Sequence, residues 1–305
     1  MKEYQSYIYC LIAILFFSTH EVVGKFIDSS ITPIAITFYR FIIGGILIFI
    51  FVIINNKKYL PITNINYILK CSLIGALNVC ISMFSLQLGI YYGQATFAAI
   101  IIGSNPIFVS IFAHIILKEK LTLKTIICII IGILGMGLVI LGKFSNTGNS
   151  KNPFLGILFS VIASVTFALY TVLSKQQIKK SNIHYFNSIS FIAGSFLLLI
   201  LGLIFKQDMS FSTDFKIIFG VLYLGIIVTC LAYFLLFEGI RHINASIGSS
   251  FFFLKPVFAS VFAYFLLKET LNFTQQLGII IVIGALFFNT FVKRKSSIVP
   301  TASRR

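Results

Sequence analysis

Charge is what this sequence has least of. Only 10% of its 305 residues are Asp, Glu, Lys or Arg, where a soluble globular chain carries about 25%. With 58% hydrophobic residues and a mean hydropathy of +1.00, that scarcity excludes a large water-facing surface and a sizeable soluble domain. Cysteine is sparse too. Cys10, Cys71, Cys80, Cys128 and Cys230 lie scattered through apolar runs with no Cys-x-x-Cys pair, which excludes a disulfide framework and a zinc site. They read as small buried hydrophobes. No Walker A pattern occurs, so ATP is not the expected energy source. His20, His114, His184 and His242 form no His-Glu-x-x-His, and Gly-x-Ser-x-Gly is missing, which argues against a membrane-embedded enzyme. No cofactor or metal is expected. The apolar runs are continuous and lack the alternation of a membrane β-barrel.

What is present is one long apolar stretch after another. A hydrocarbon core about 30 Å thick needs roughly 20 apolar residues per helical crossing. Cutting at loop signals predicts an all-α polytopic membrane protein with ten transmembrane helices, near 7–25, 34–54, 68–88, 95–117, 124–142, 154–175, 185–205, 217–238, 243–267 and 275–292. The apolar stretch after Lys2 has no small-x-small cleavage site behind it, so it reads as the first of these helices and not as a signal peptide.

The net charge of +16 lies mostly in short loops, which makes it a topology signal and not a nucleic-acid footprint. With the amino terminus inside, sixteen basic residues fall on inner loops and tails, among them Lys57, Lys58, Lys118, Lys120, Lys175, Lys179, Lys180 and Arg241. The outer loops hold six: Lys25, Lys143, Lys151, Lys206, Lys216 and Lys268. Both termini are therefore expected on the cytoplasmic side of the cell membrane. Arg40 and Lys255 fall inside helices.

The one long polar connection, "KFSNTGNSKNP" at 143–153, divides the chain into halves at 1–142 and 154–292, followed by a basic tail at 293–305. An ungapped offset of 150 superposes Phe17 on Phe167, Lys25 on Lys175, Gly44 on Gly194, Gly75 on Gly225 and Gly89 on Gly239. The strongest stretch is 95–121 on 245–271, with ten identities in 27 positions that include Pro106 on Pro256 and Lys118-Glu119 on Lys268-Glu269. Five helices per half is an odd number, so the halves are expected to enter the membrane from opposite sides. Inverted repeats with interrupted helices are a mark of secondary transporters.

The endings "ILKEKLT" and "LLKETLN" after a proline-broken helix, together with "FFSTHEVVGK", "TFALYTVLSK" and "YRFIIGG", resemble the EamA-like branch of the drug/metabolite transporter superfamily. The resemblance covers essentially the whole chain. It implies a ten-helix inverted-repeat carrier whose helices four and nine line a central cavity while five and ten lie at the periphery. Members often carry Trp-Gly in the first helix; this chain has no Trp and places His20-Glu21 just beyond.

A charge near mid-helix costs about 2.5 to 3.5 kcal/mol on insertion scales, so each one needs a partner, an aqueous cavity or a role. Glu21 stands ~21 Å along its helix, Arg40 ~9 Å below the outer face and Lys255 ~18 Å up, at 1.5 Å per residue. All three fall near the midplane. Glu21 suits an ion pair with Lys25 or Arg40, or a titratable role that couples protons to transport. Lys255 suits a cavity position, contacting a solute anion, Glu21, or both. Two bases against one acid leave a positive surplus that fits a carboxylate-bearing solute, such as an amino acid.

Pro106 and Pro256 each remove a backbone donor mid-helix and open a carbonyl at Ile102 and Phe252, a hinge or a cavity acceptor. Asn105 stands where the second copy has Lys255. Further candidates for the cavity are Asn78 and Ser82 on helix three, Tyr170 on helix six and Tyr233 on helix eight, which bond neighbouring helices or wet a cavity. Glu238 and Arg241 suit an interfacial ion pair. Gly132, Gly135 and Gly137 pack on either a neighbouring helix or a second subunit, so monomer and homodimer both stay open. The leading expectation is a secondary transporter for a small polar metabolite. A multidrug or cationic-compound exporter of the same fold is the alternative.

Overall fold

A computed structural model describes residues 3–27, 30–55, 64–93, 95–141, 151–177, 182–211, 214–267 and 272–291, and every regular element among them is helical. Helix α1 (Glu3–Ser18) meets α2 (His20–Ile27) across Thr19, and α3 is Pro33–Asn55. Next, α4 (Ile65–Ala76), a π-helical stretch (Leu77–Met83) and α5 (Phe84–Tyr92) follow without a gap. Only Ser104 separates α6 (Ala95–Gly103) from α7 (Asn105–Leu117), and α8 is Leu123–Leu141. The chain continues through α9 (Pro153–Gln177) and α10 (Ile183–Ile204). A second π stretch (Leu224–Leu231) joins α11 (Phe215–Tyr223) to α12 (Ala232–Arg241). Finally α13 (Ala245–Ser250) passes through a 3-10 turn (Phe251–Leu254) into α14 (Lys255–Leu267), and α15 is Phe273–Phe291. Lys2, Lys57, Lys58, Lys143, Lys179, Lys180, Lys268, Glu269 and the tail at 293–305 lie outside the described residues.

Among the described residues, seven stretches are long and apolar enough to cross a membrane: Tyr4–Ile27, Pro33–Asn55, Ile65–Tyr92, Ala98–Leu117, Pro153–Gln177, Ile183–Ile204 and Phe215–Arg241. Three shorter apolar helices, Leu123–Gly135, Ala245–Ala259 and Gln276–Ala285, accompany them. Local chemistry sets their ends. Pro33 and Pro153 open α3 and α9, where a missing N–H leaves no intrahelical bond unmade. The side chains of Asn64, Asn182 and Asp214 accept from backbone N–H groups two residues on and cap α4, α10 and α11.

The polarity of the bundle is that of a body dissolved in hydrocarbon. Ile54, Leu73, Leu134 and Phe219 are exposed, whereas Glu21, Arg40, Asn78, Asn105 and Lys255 are buried. Such an outward face has no hydrophobic driving force for helix association in lipid, so close packing takes over. Gly44 on α3 abuts Thr229 and the Gly225 carbonyl of the second π stretch. The crossing of α10 on α4 is equally tight: a methyl group on Gly194 would stand 2.6 Å from the Gly75 carbonyl oxygen. These two crossings use the same positions at an offset of 150. Helices α8 and α15 pack mainly on each other, and Gly132 of α8 lies against the Phe253 ring. Gly132 therefore serves an internal contact.

Inside, aromatic rings surround Tyr233. Phe17 and Phe191 meet it edge-on at 5.0 and 4.8 Å, and Phe41 packs edge-on against Phe191 at 4.9 Å. Edge-to-face pairs at such distances contribute about 0.5 to 1.5 kcal/mol each beyond area burial. Arg40 lies against this cluster, its Cζ 4.7 Å from the Phe41 ring centroid.

Candidate functional site

Thr19 interrupts the first helix by turning both its hydroxyl and its N–H back to the Phe16 carbonyl, at 2.7 and 3.2 Å. The interruption starts α2 with His20 and Glu21 in its first turn, where a carboxylate complements the positive end of a helix. Across the bundle, the 3-10 turn delivers Lys255 as the first residue of α14. Its backbone N–H bonds the Phe252 carbonyl. The expectation that Pro256 leaves this carbonyl open is thus corrected: the tighter turn satisfies it locally. Pro106 likewise sits in the first turn of α7, directly after the break at Ser104, so it opens a helix and does not kink one.

Lys255 Nζ lies 2.5 Å from Glu21 Oε1, with side-chain exposures of 3% and 1%. Of the partners open to Glu21, the structure selects Lys255; Lys25 donates to the Ile90 carbonyl at 3.2 Å. Arg40 is buried on α3 with its Cζ 4.7 Å from the Phe41 ring centroid. Its electrostatic neighbours are Tyr233 and Glu21, yet its Nε and Nη1 have no hydrogen-bond partner among the described residues. The second oxygen of Glu21 and both ring nitrogens of His20 are likewise unbonded, with His20 Nδ1 3.7 Å from Glu21 Oε1.

His20, Arg40 and Lys255 line a small cavity, which Glu21 meets through its bond to Lys255. Its polar wall is His20, Arg40, Tyr233 and Lys255, and its apolar wall includes Phe17, Phe167 and Phe252. The room inside is about 20 Å³, enough for one water molecule. Both π stretches reach the cavity, through Met83 and Val228. An i→i+5 turn swings side chains that an α-helix would place elsewhere.

Not every candidate read from the sequence lines this space. Lys255, Arg40 and Tyr233 do; Glu21 is not part of the lining and is held behind it by Lys255, and Asn78 is buried beside Tyr233 with its amide unbonded among the described residues. Ser82, Asn105 and Tyr170 are committed to neighbouring helices, donating to the Ala163 carbonyl at 3.0 Å, the Ser164 carbonyl at 2.9 Å and Asn187 Oδ1 at 3.0 Å. His20 was missed. Its signal in the sequence was adjacency to a buried carboxylate.

One end of the bundle carries a second ionic cluster. Lys118 takes a left-handed backbone conformation (φ 55°) that ends α7 and turns Glu119 across to α9 and α13. There Glu119 meets Lys175 Nζ at 2.9 Å and accepts from the backbone N–H groups of Ala245 and Ser246. Lys175 also donates to the Ile243 carbonyl at 2.6 Å. Asn244 makes no side-chain cap bond to α13, so Glu119 caps it from outside. Burial alone would raise the Glu119 carboxyl, but Lys175 and those N–H groups outweigh it and hold the carboxyl below its ordinary value. Glu238 pairs with Arg241 at 3.5 Å as the spacing suggested, and also with His184 at 3.2 Å.

Helices apolar towards the outside, closed around charged groups at mid-bundle, define a polytopic membrane protein with an internal polar site. Among known proteins, the model of the EamA-like transporter family matches residues 5–141 and again 154–291. The chain belongs to that family. It is 31% identical to an uncharacterized transporter of Clostridium kluyveri, over 96% of this chain and 95% of that protein. It is 24% identical to the uncharacterized transporter YetK of Bacillus subtilis, over 100% of this chain and 92% of the relative. A protein crystal structure shares the fold at a TM-score of 0.75 and 14% identity, covering 93% of this chain and 96% of the other.

Proposed function

We propose that this transporter moves a small carboxylate-bearing solute by alternating access, with the Glu21, Lys255 and Arg40 cavity as its central site. The observation that carries the reading is the buried Glu21–Lys255 pair beside an Arg40 whose guanidinium is not fully bonded, on the wall of a small internal cavity. Intramembrane ionisable groups facing a cavity mark solute or ion pathways. Three bases or acids with a net positive charge favour an anion over the cationic drugs that other carriers export.

The halves 1–142 and 154–292 are, in this reading, inverted five-helix repeats joined by the linker at 143–153, ten crossings in all, with both termini cytoplasmic in the plasma membrane. The doubled family match and the repeated glycine crossings support it. Pro106 and Pro256, next to the breaks in their helices, are the hinges we assign to the change of access. Glu21 is the group we assign to proton coupling.

Purified protein in liposomes tests the reading. Counterflow of a labelled solute panel should saturate and should fail in Lys255→Ala, because the orphaned Glu21 would then capture Arg40; unchanged uptake in that variant removes Lys255 from the site. Glu21→Gln should abolish accumulation driven by a pH gradient while sparing exchange. A variant that still concentrates solute against such a gradient ends the coupling role.

A further inference from the structure

We infer that the solute is an amphipathic monoanion, its single carboxylate held by Arg40 and its apolar body held by Phe17, Phe167 and Phe252. The inference rests on the transporter reading above and deepens it by dividing the work between the two buried bases. Lys255 is already spent. Its ammonium is neutralised by Glu21 at 2.5 Å. Arg40 has no such partner among the described residues: Glu21, already bonded to Lys255, is the one acid near it, and Lys255 itself repels it. A guanidinium buried to 2% exposure, with Nε and Nη1 unbonded, is an incomplete structure until an anion supplies acceptors. Its planar fork suits the two oxygens of a carboxylate.

The remainder of the wall sets the body of the solute. Beyond the four polar residues, the lining is Phe17, Met83, Leu86, Phe167, Phe252 and two further aliphatic side chains. The Phe17 and Phe252 rings stack at 5.9 Å, and Phe167 meets Phe252 edge-on at 5.6 Å. A dicarboxylate or a sugar acid would place its polar groups against these rings without partners. One positive surplus also matches one negative charge.

The test measures thermal stabilisation of the purified protein by matched ligands, since a ligand of the folded state stabilises it by mass action. The series is butyrate, 4-methylpentanoate, 3-phenylpropanoate and indole-3-propanoate, each beside its neutral amide, with succinate and 2-phenylethylammonium as controls. One of the acids should bind at least about tenfold more tightly than its amide, the scale of a charge-assisted hydrogen bond, and more tightly than either control. Arg40→Gln should erase the preference for acid over amide, and Arg40→Lys should retain part of it.

The inference falls if no acid in the series stabilises the protein, if amide or succinate does as well, or if Arg40→Gln keeps the preference for acid over amide. Should Arg40→Gln fail to fold, the acid-against-amide comparison on unaltered protein and on Arg40→Lys still decides. Counterflow separates this from the underlying reading. If dicarboxylates or cations exchange and the monocarboxylates do not, transport stands and the inference fails. If an acid stabilises the protein and nothing in the panel exchanges, anion binding stands and the transport reading fails.

Discussion

At the residue scale, the energetics of the site turn on a pair that neither partner can leave. Removing one member of a buried ion pair strands the other, at a cost of about 3 to 5 kcal/mol, whereas replacing both with neutral residues is far milder. Glu21→Gln and Lys255→Met should each lower the melting temperature in detergent, and the double variant should recover more than half of the loss. Losses that simply add would mean that the two side chains are stabilised independently. The charges were legible in the sequence because an intramembrane charge is expensive wherever it sits. Their pairing was legible only as one alternative, Lys255 being read as meeting a solute anion, Glu21, or both; across a separation of 234 residues, with Lys25 and Arg40 nearer to Glu21, spacing could not choose among them. His20 escaped notice for a related reason: a neutral imidazole carries no insertion cost large enough to demand an explanation.

At the element scale, the all-helical membrane fold followed from the continuous apolar runs, but the fine structure of the helices did not. The π stretches at Leu77–Met83 and Leu224–Leu231 look like any apolar helix in sequence, because a widened turn needs no special residue. The tight crossings were only half legible, as glycines without known partners. Gly194→Val should prevent α10 from closing on Gly75 and leave the protein aggregated on size exclusion, while Gly137→Val, with nothing within 4 Å of the added carbon, should be tolerated. Equal behaviour of the two would show that this crossing is not tight in the membrane. Glu119 ties three elements through one carboxylate, and Glu119→Gln should cost about 1 to 3 kcal/mol at neutral pH, the worth of its charged hydrogen bonds. The sign of its pH dependence is set by a carboxyl held below the usual 4.5. Its contribution is complete above that value and fades as pH falls through the lowered value of the folded protein. Melting curves of the parent and Glu119→Gln should therefore converge on acidification; a gap that stays constant would mean that the charge of Glu119 is immaterial.

At the scale of the whole molecule, the family model matches twice, but the residues proposed for the site are not repeated. Glu21 and Arg40 have Thr171 and Ser190 at the matching positions of the second half, and Lys255 has Asn105 in the first. Asn105 points away to the Ser164 carbonyl of α9, and Lys255 points to Glu21. The similarity of the halves was therefore readable from aligned prolines and glycines, while the site lay in the positions where the alignment fails. Moving the lysine should expose this difference. Lys255→Asn should bring counterflow to background, and adding Asn105→Lys should not restore it, because a cation at 105 faces α9 and leaves Glu21 unpaired. Restoration by the second substitution would mean that either copy of the broken helix can serve the cavity. The site would then follow the symmetry of the scaffold, and Glu21 would accept a partner from both halves.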